Sequence, residues 1–582
     1  MKNIQWFILL ISIPALIFSQ NIPVNIKPQD FTFIVLGDRT GGAEQEIFEQ
    51  VIASARALNP DFIINVGDLI EGYSQIEETI RNQWDSIFIN IGDLKEKFLF
   101  TPGNHDIWDS LSKAIYLEQT DYPNTYYNFS LGKNHFVVLD NSLQEKVGAP
   151  DSLELAWLQS TLSKYKKADN IICFMHRSFW KQAYTNNAPD TFHKLFVKYG
   201  VDYVFSGHDH FYCQQIWDGI TYTQVGPSGS RLKVYFKEEL GAFQHFVKVN
   251  VKNNKVQVKL LRADGTEMPA DYVTLDNINE IKSIENAVEI TRLEIGTSDS
   301  ISVIVNNISE IPIATNLAWH SDNDLFKIYP SEESIFIESN RSESYPFHAV
   351  VDNDNIYPLP RMSFDYPYAG GAKKYNLERM IPIKLTAACY QLNKPLKIDG
   401  KLDEKIYKTI KPLSVFGSSD GNVTKTDPWQ VWFLYDNTNL YITAEMIDYA
   451  PNQIMTTITK RDERVYSDDH INIVLQSIPE SDMYYQFFIN ALGVVMDRSC
   501  KMQGKDSKRD TKWDSNIITH AIINSSGWTV EIAMPLQDFP GFNAEVWGFN
   551  LVRFQSGKNT VSTYSVPFEH NPKTFAKLRF TK

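Results

Sequence analysis

The chain has 582 residues, of which 22% are charged and 43% hydrophobic, and this balance is typical of a folded protein with several domains rather than a disordered one. Its formal net charge of -14 argues against a broad basic surface, so no nucleic-acid partner is expected. Because an acidic protein repels anions, a site for phosphate compounds would need metal cations to reverse the local field.

The first twenty residues are predicted to be a signal peptide. Met1 and Lys2 precede a mostly apolar stretch, residues 4–18, and the small residue Ser19 marks a cleavage point. About fifteen apolar residues are short for a membrane-spanning helix, which needs roughly twenty. An uncleaved membrane anchor is the alternative. We expect an exported protein, in the periplasm, at the cell surface or secreted, with no transmembrane anchor after cleavage.

From residue 30 to about residue 229, strand-like and helical patterns alternate, which predicts a layered α/β domain over residues 21–276. One of the predicted helices begins with Ser152 as its cap. From residue 243 to 261 the hydrophobic period changes to two, which predicts a hairpin that turns at Asn253 and Asn254.

Five short apolar runs in this domain are each followed at once by Asp, Asn or His. In open α/β sheets, ligands bind at the edge formed by the carboxyl ends of the strands. We therefore expect these side chains to lie close together. The residues that follow the five runs are, in chain order, Asp38; Asp68; Asn104, His105 and Asp106; His176; and His208, Asp209 and His210.

Oxygen and imidazole ligands without thiolates suit ions such as Mn, Fe or Zn. A carboxylate shared between two such ligand sets is what a two-metal site needs, and paired ions activate water and hold both oxygens of an in-line displacement. A His beside the site that is not a ligand can protonate the leaving alkoxide, and His105, directly after Asn104, fits that role. The expected cofactors are two divalent or Fe/Mn/Zn-type metal ions.

This ordered series resembles the calcineurin-like metallophosphoesterase family over roughly residues 30–265. The resemblance implies a four-layered αββα sandwich that hydrolyses phosphate mono- or diesters by attack of a metal-bridging hydroxide. It also implies that His105 is the general acid, oriented by Asp106. The implied ligands are Asn104, His176 and His208 for one ion, Asp38 and His210 for the other, and Asp68 as the bridge.

Two positions depart from the family pattern. Many members carry His two residues after the first Asp, where this chain has Thr40, and purple acid phosphatases carry Tyr three residues after the bridging Asp, where it has Glu71. Glu71 is therefore a candidate extra ligand, and a slow site with one ion is an open alternative. Arg39 is a candidate phosphate-binding residue because one guanidinium can donate hydrogen bonds to two phosphate oxygens at once. A salt bridge of Arg39 with Glu71 or another acid is its alternative role.

Residues 287–388 consist of short strand patterns at even spacing, which predicts an immunoglobulin-like β-sandwich that acts as a spacer. The polar segment before it, residues 277–286, lacks a clear period and marks a domain boundary. Residues 389–582 are rich in aromatic residues and again dominated by strand patterns.

The last segment contains six short motifs, at residues 398–404, 432–436, 440–442, 467–472, 527–535 and 547–550. Together they resemble the family 9 carbohydrate-binding module, a β-sandwich. The resemblance implies binding of glycan ends, because aromatic faces cover the apolar C–H face of a sugar while polar groups bind its hydroxyls. Tyr466 and Phe568 are the aromatic residues expected nearest to the sugar cleft. A stabilising or docking domain is the alternative.

The sequence thus predicts an exported metal-dependent phosphoesterase, whose substrate is a phosphate ester, with a C-terminal module of the glycan-binding type. The alternative is a glycan-binding surface protein with a degenerate phosphoesterase domain. Thr40 and Glu71 favour that alternative, whereas the otherwise intact set of ligands argues against it.

Overall fold

The computed structural model describes residues 26–144, 151–232, 237–352, 355–504, 506–542 and 545–581. The chain divides into two compact units, Met1–Ser283 and Ile284–Lys582. The predicted signal peptide, residues 1–20, lies outside the described residues. Among the helices that are described, none is long and apolar enough to cross a membrane.

The first unit alternates strands and helices, as the sequence predicts. Its strands are β1 Asp30–Leu36, β2 Phe62–Asn65, β3 Phe98–Leu99, β4 Tyr127–Leu131, β5 Asn134–Val138, β6 Asn170–Arg177, β7 Tyr203–Gly207, β8 Cys213–Trp217, β9 Ile220–Gln224, β10 His245–Lys252, β11 Lys255–Arg262 and β12 Glu267–Met268. Its helices are α1 Gln45–Ala57, α2 Glu77–Ile91, α3 Ser110–Thr120, α4 Ser152–Tyr165, α5 Trp180–Thr185 and α6 Thr191–Tyr199, and α7 Leu275–Ala287 follows.

These strands form two six-stranded sheets, with the orders β12-β11-β10-β1-β2-β3 and β4-β5-β6-β7-β9-β8. Strands β1, β2 and β3 run parallel in the first sheet, and β5, β6, β7 and β9 run parallel in the second. The predicted hairpin is confirmed, because β10 and β11 pair antiparallel with Lys252 opposite Lys255. The loop after β1 also meets the segment after β9, where the N–H of Asp38 donates to the carbonyl of Gly226 at 2.8 Å.

Phenylalanine rings connect the two sheets. Phe33 of β1 stacks on Phe62 of β2 with ring centroids 4.8 Å apart. The same ring meets Phe136 of β5 edge-on at 5.8 Å and Phe174 of β6 at 6.3 Å. Burial of these rings removes a large apolar area from water and holds the sheets face to face.

The alternate residues of β1 and β2 face a second apolar cluster. Ile34 and Ile63 pack there with Val51 of α1 and Trp84 of α2, and all four side chains are buried. Both faces of the parallel strands are therefore covered, which explains why β1 reads as a continuous apolar run rather than an alternating one.

Two local predictions need correction. Helix α4 is capped by Asp151 rather than Ser152, because the Asp151 carboxylate accepts the N–H groups of the second and third helical residues. The predicted boundary segment 277–286 is helical and belongs to α7. Its buried side chains recur at every third residue, a helical face among polar neighbours: Leu275, Ile278, Ile281 and Ile284.

The second unit is strand-rich throughout, as predicted for both C-terminal segments. Its strands are β13 Val288–Ile290, β14 Leu293–Glu294, β15 Ser300–Asn306, β16 Ile313–His320, β17 Phe326–Tyr329, β18 Glu332–Ile337, β19 Ser342–Val351, β20 Arg361–Tyr368, β21 Lys373–Met380, β22 Ile383–Lys384, β23 Thr386–Gln391, β24 Trp429–Tyr435, β25 Asn439–Ile447, β26 His470–Gln476, β27 Met483–Asn490, β28 Val495–Gln503, β29 Asp506–Asp510, β30 Ile518–Asn524, β31 Gly527–Pro535, β32 Val546–Gln555, β33 Thr560–Thr563 and β34 Ala576–Thr581.

The strands of the second unit pair in four sheets. Two are four-stranded, with the orders β13-β15-β19-β17 and β18-β16-β20-β21, and β14 pairs with β22 in a small third sheet. The remaining strands form one 12-stranded sheet along the path β29-β28-β27-β26-β32-β34-β23-β24-β25-β31-β30, with β33 paired to β32.

Candidate metal centre

The predicted ligands lie at the carboxyl ends of parallel strands in both sheets. In chain order they are Asp38 after β1, Asp68 after β2, Asn104 after β3, His176 near the end of β6, and His208 and His210 after β7. Ligand atoms of Asp68, His176 and His208 lie within 4.8 Å of one another, so these three can hold one metal ion. The strand ends thus bring together side chains that are up to 140 positions apart in the sequence, since His208 follows Asp68 by that distance.

His176 is at the centre of this group. Its Nδ1 lies 2.8 Å from the carbonyl of Val66, which fixes the proton on Nδ1. Nε2 is the nitrogen that faces the other candidate ligands, and it lies 3.2 Å from Oδ2 of Asp68, 3.1 Å from Oδ1 of Asn104 and 3.2 Å from Nδ1 of His208. Four candidate ligand atoms therefore face one another, in the orientation that a carbonyl-bound metal-ligating His adopts.

Asp38 and His210 lie on the other side of the group. Oδ1 of Asp38 accepts the N–H of His208 at 3.1 Å, and Oδ2 lies 3.5 Å from Nε2 of His210. Asp38 is fully buried, yet its Oδ2 accepts no hydrogen bond. A buried carboxylate oxygen without a partner costs free energy, and a cation between Asp38 and His210 would remove that cost. The donor set therefore fits a second metal ion.

The pKa values of these groups reflect burial and close charges of both signs. Burial opposes ionisation of His176, but the charge and hydrogen bond of Asp68 raise its pKa to about 9. Burial raises the pKa of Asp38 well above its ordinary value, and the charge of Asp68 raises it further against the opposing effect of His176. Burial also opposes ionisation of Asp68, but the charge and hydrogen bond of His176 lower its pKa to about 2. Burial, with the charge of His176, lowers the pKa of His208 to about 3. A neutral His208 and two close carboxylates favour a bound cation.

The backbone at the ligands is strained and close-packed. Asp68 has φ 58° and His208 has φ 76°, both in the left-handed region that non-glycine residues rarely adopt. A Cβ on Gly103 would lie 2.2 Å from Oδ1 of Asp68, and one on Gly207 would lie 2.4 Å from Oδ1 of Asp38. Glycine is thus required for the carboxylates to approach, and strain of this kind is concentrated at functional sites.

The contacts of His105 differ from the prediction. Its N–H donates to Oδ1 of Asp68 at 2.8 Å, and its ring Nδ1 lies 2.7 Å from the carbonyl of Glu71. The Asp106 carboxylate does not contact the ring and is engaged with four backbone N–H groups. These are the N–H groups of Asp68 at 2.7 Å, Leu69 at 2.9 Å, Ile70 at 3.3 Å and Gly103 at 2.9 Å. The prediction that Asp106 orients His105 is therefore wrong, and Asp106 instead joins two loops.

The two departures from the family pattern have different surroundings. The Glu71 side chain is exposed, and Oε1 accepts the N–H of Ala43 at 3.1 Å. It is not part of the converging group in the described residues, so the predicted extra ligand is not found there. Thr40 is fully buried, and its hydroxyl has no hydrogen-bond partner. A small side chain therefore occupies the place where many relatives carry His.

Arg39 is held away from the role of phosphate clamp. One amino group donates to the carbonyl of Leu69 at 3.1 Å and the other to Oε1 of Gln45 at 2.9 Å. The guanidinium carbon lies 5.6 Å from the ring centroid of Phe48. No ion pair with Glu71 is formed in the part of the chain that is described. Arg39 thus supports the loop rather than offering a free fork to a ligand.

Tyr73 is a site residue that sequence reasoning missed. Its hydroxyl accepts a hydrogen bond from Nδ2 of Asn104 at 2.9 Å, and its ring meets that of His105 edge-on at 4.8 Å. The side chain is 53% exposed, and the backbone has φ 55°. An exposed tyrosine with strained backbone beside a candidate ligand indicates function. Its position, five residues after Asp68, gave no spacing that could have identified it.

Arg177 was missed as well. Its Nε donates to the carbonyl of Ser142 at 3.0 Å, and one amino group lies 3.4 Å from Nε2 of His208. The register between β6 and β7 shifts between Phe174 and Arg177. Such irregularities redirect side chains near active sites. The sequence did contain a signal, a basic residue directly after the predicted ligand His176.

The two aromatic residues predicted near a sugar cleft differ in exposure. Tyr466 is 42% exposed, and its ring centroid lies 5.8 Å from that of Phe488. Phe568 is partly buried, packs against a small apolar cluster that includes Tyr484, and meets His570 edge-on at 5.2 Å. Tyr466 is therefore the more accessible of the two rings.

Comparison with known proteins confirms both predicted resemblances. Residues 31–212 match the family model of the calcineurin-like phosphoesterases, and residues 398–574 match the model described as carbohydrate family 9 binding domain-like. A β-rich region lies between them. Purple acid phosphatase 15 of Arabidopsis thaliana is 24% identical over 223 residues, which is 30% of this chain and 41% of that protein. The chain thus spans about two fifths of the length of the curated relative it matches.

Solved structures show likeness over part of the chain. A dimetal phosphatase from Danio rerio matches with 13% identity and a TM-score of 0.31, covering 42% of this chain and 99% of the other. GAP50, the anchor in the inner membrane complex of Plasmodium, matches with 17% identity and a TM-score of 0.32, covering 44% of this chain and 94% of the other.

Proposed function

We propose that residues 21–276 form a metal-dependent phosphoesterase that hydrolyses phosphate mono- or diesters. The observation that carries this proposal is the convergence of Asp68, His176 and His208 within 4.8 Å, from strands of both sheets. The match of residues 31–212 to the calcineurin-like phosphoesterases supports it at the level of the family. A site of buried carboxylates and imidazoles without thiolates suits ions that act on phosphate esters.

Two ions would be held by the six predicted ligands, Asp38, Asp68, Asn104, His176, His208 and His210. When bound, such ions supply an activated water and neutralise charge on the phosphate. The chain itself supplies their placement, because the carbonyl of Val66 fixes the His176 ring and the Tyr73 hydroxyl engages the amide of Asn104.

His105 is proposed as the general acid. The carbonyl of Glu71 holds Nδ1, so this nitrogen carries the proton in the neutral ring. Nε2 can then carry a second proton, taken up from solvent, and deliver it to the leaving oxygen, so that the group departs as an alcohol when the ester bond breaks. The N–H of His105 donates to Asp68, which fixes the distance between the acid and the ligands.

We also propose a fold for each of the three segments of the chain. For residues 21–276 we propose a four-layered αββα sandwich, which the two apolar clusters on opposite faces of β1 and β2 support. For residues 287–388 we propose an immunoglobulin-like β-sandwich, and for residues 389–582 a β-sandwich of the family 9 carbohydrate-binding type.

The test is to measure metal content and hydrolysis of p-nitrophenyl phosphate and its bis-ester. Asp68→Asn is expected to lose both metal and activity, whereas His105→Ala is expected to keep its metal and lose rate. Asp93→Asn, an exposed carboxylate paired with Arg56, is the matched control and should behave like the wild type. If the wild type binds less than one metal per chain and hydrolyses neither ester, the proposal fails.

That failure would favour the second candidate, a glycan-binding surface protein with a degenerate phosphoesterase domain. The specific observation in its favour is the incomplete place beside Asp38. There Thr40 is buried without a hydrogen-bond partner, and the Glu71 carboxylate is engaged with Ala43.

For the C-terminal domain we propose glycan binding. The match of residues 398–574 supports it, and the exposed Tyr466 ring is the surface that would cover the apolar face of a sugar. A glycan array probed with the full chain and with Tyr466→Ala and Phe568→Ala is the test. Binding that the Tyr466 change abolishes would support the proposal, and no binding across diverse glycans would favour a docking domain.

Export is proposed from the N-terminal sequence alone. Fractionation of cells that express the full chain, followed by N-terminal sequencing of the mature protein, tests it. A mature protein that begins after Ser19 and lies outside the cytoplasm is the expected result. An uncut protein in the membrane fraction would indicate an anchor instead.

A further inference from the structure

We infer that Arg177 contacts the phosphate of the substrate and favours phosphate monoesters over diesters. This inference rests on the proposed phosphoesterase function and names a substrate class for the same site. It starts from the position of Arg177, directly after the candidate ligand His176 at the carboxyl end of β6.

The backbone of Arg177 is fixed by one side chain. Oδ1 of Asn141 accepts the N–H groups of both His176, at 3.0 Å, and Arg177, at 2.9 Å. Nδ2 of Asn141 donates back to the carbonyl of Arg177 at 2.8 Å. Three hydrogen bonds therefore hold two consecutive residues at the point where the register between β6 and β7 shifts. The backbone from which the Arg177 side chain extends is therefore held in place beside the site.

The guanidinium is directed at the metal centre. Nε donates to the carbonyl of Ser142 at 3.0 Å, which sets the plane of the group. Beyond that contact, the Nη1 amino group lies 3.4 Å from Nε2 of His208, whose Nδ1 faces His176 at 3.2 Å. In the described residues, Nη2 of Arg177 makes no hydrogen bond. A half-buried guanidinium with an uncommitted amino group beside candidate metal ligands fits a phosphate oxygen.

Two other basic side chains near the site are committed elsewhere. Arg39 donates to the carbonyl of Leu69 and to Gln45, and Lys181 forms an ion pair with Asp209. Arg177 forms no ion pair with a carboxylate in the part of the chain that is described. Unlike Arg39 and Lys181, Arg177 therefore has a charge that is available to a substrate anion.

This charge bears on the choice of substrate. A monoester dianion carries one more negative charge and one more terminal oxygen than a diester monoanion, so it attracts a guanidinium more strongly and offers it one more acceptor. In an acidic protein, an added cation stabilises the dianion more than the monoanion. Arg177 would therefore contribute more to transition-state binding of monoesters, and it would also bind the product, inorganic phosphate.

The experiment compares the metal-loaded wild type with Arg177→Gln, Arg177→Lys and Arg56→Gln. Arg56→Gln removes the same charge from an exposed pair with Asp93 and is the matched control. Affinity for inorganic phosphate is measured by calorimetry, kcat/KM is measured for p-nitrophenyl phosphate and its bis-ester, and metal content is measured for each protein. The calorimetry needs no turnover, so it reports on Arg177 separately from the proposed activity.

The Arg177→Gln change is expected to weaken phosphate binding by about 10- to 100-fold, the usual range for one charged hydrogen bond, at unchanged metal content. The loss in kcat/KM should be about tenfold greater for the monoester than for the diester. Arg177→Lys keeps the charge but lacks the paired donors of the guanidinium. Its phosphate affinity and its kcat/KM for the monoester should lie between those of the wild type and Arg177→Gln. If Arg177→Gln binds phosphate as tightly as the control variant does, the inference is overturned. It is also overturned if kcat/KM falls equally for the two esters and the metal content falls with it, because Arg177 is then structural. If the wild type hydrolyses neither ester, the proposed function fails, and the phosphate affinities still decide the contact.

Discussion

The hydroxyl of Tyr73 accepts a hydrogen bond from Nδ2 of Asn104 at 2.9 Å, and this contact determines which way the amide faces. With Nδ2 engaged, Oδ1 is directed to the centre of the site, 3.1 Å from Nε2 of His176. Only the oxygen of an amide has lone pairs for a metal ion. Tyr73 is therefore a positioning residue for a candidate ligand.

We predict that Tyr73→Phe weakens metal binding by about tenfold, the lower end of the effect of removing a hydrogen bond to a metal ligand. The ring is kept, so its contact with His105 is unchanged and only the orientation of Asn104 is lost. The measurement is a titration of metal-free protein with Mn, Fe or Zn ions. Tyr126→Phe, which removes a hydroxyl elsewhere in the same unit, is the control. Equal metal affinity in the two variants would contradict the positioning role.

Asp106 should matter for stability rather than for proton transfer. Its carboxylate accepts four backbone N–H groups in the buried loops after β2 and β3. An Asn at this position presents an NH2 group to some of these donors and leaves them unpaired. We predict that Asp106→Asn lowers the free energy of unfolding by about 3 kcal/mol, measured by urea unfolding.

Asp109→Asn is the matched control for that prediction. Asp109 caps α3 by accepting the N–H of Ser112 at 2.8 Å, and Asn caps a helix about as well. This change should alter the free energy of unfolding by less than about 0.5 kcal/mol. If Asp106→Asn is as stable as Asp109→Asn, the four hydrogen bonds do not carry the stability assigned to them.

The role of His105 as general acid predicts a dependence on the leaving group. An alkyl alkoxide needs a proton as the ester bond breaks, whereas p-nitrophenolate leaves readily without one. The loss in kcat on His105→Ala should therefore reach about 100-fold or more for an alkyl phosphate and be much smaller for p-nitrophenyl phosphate. Rates for both substrates are compared at equal metal content. An equal loss for the two esters would assign His105 to binding or positioning instead.

Glu154 should make the stability of the protein depend on pH. It is buried at 2% exposure, and its Oε1 accepts the N–H of Asp140 at 2.7 Å. Burial, with the nearby charge of Asp140, raises the pKa of Glu154 from 4.5 to about 9. Between about pH 5 and pH 8 the unfolded chain has released this proton while the folded chain keeps it, so the folded state binds more protons and stability falls as pH rises.

The test is Glu154→Gln, which keeps the acceptor oxygen and cannot ionise. Relative to this variant, the wild type should lose about 1.4 kcal/mol of stability per pH unit across that window. Urea unfolding of both proteins over the same pH range gives the comparison. Parallel stability curves would mean that Glu154 does not stay protonated in the folded chain.

The sequence was sufficient to predict the candidate ligands because each follows an apolar run. That arrangement is local, and parallel strands then bring the run ends together without further information. His176 and His208 could be predicted in this way although their contact depends on the register of β6 and β7. The hairpin at Asn253 and Asn254 was predictable for the same reason, since two-residue turns and a period of two are local.

The contacts around the ligands were not predictable, because they depend on which partners the fold supplies. Arg39 and Arg177 each follow a candidate ligand and look equivalent in the sequence. Only the fold supplies the carbonyl of Leu69 to Arg39 and leaves an amino group of Arg177 uncommitted. The prediction for the orientation of His105 was wrong for the same reason. The ring is held by the carbonyl of Glu71 and not by a side chain.

The hydrogen bonds of the Asp106 carboxylate to two loops bear on how such a domain can change by mutation. The carboxylate ties the segment that follows β2 to Gly103 after β3 through hydrogen bonds within the protein, so this link does not require a metal ion. A substitution that removes a metal ligand therefore leaves this connection between the two loops in place. We expect that such a domain can lose catalysis by mutation of its ligands while it keeps the loops that shape the pocket.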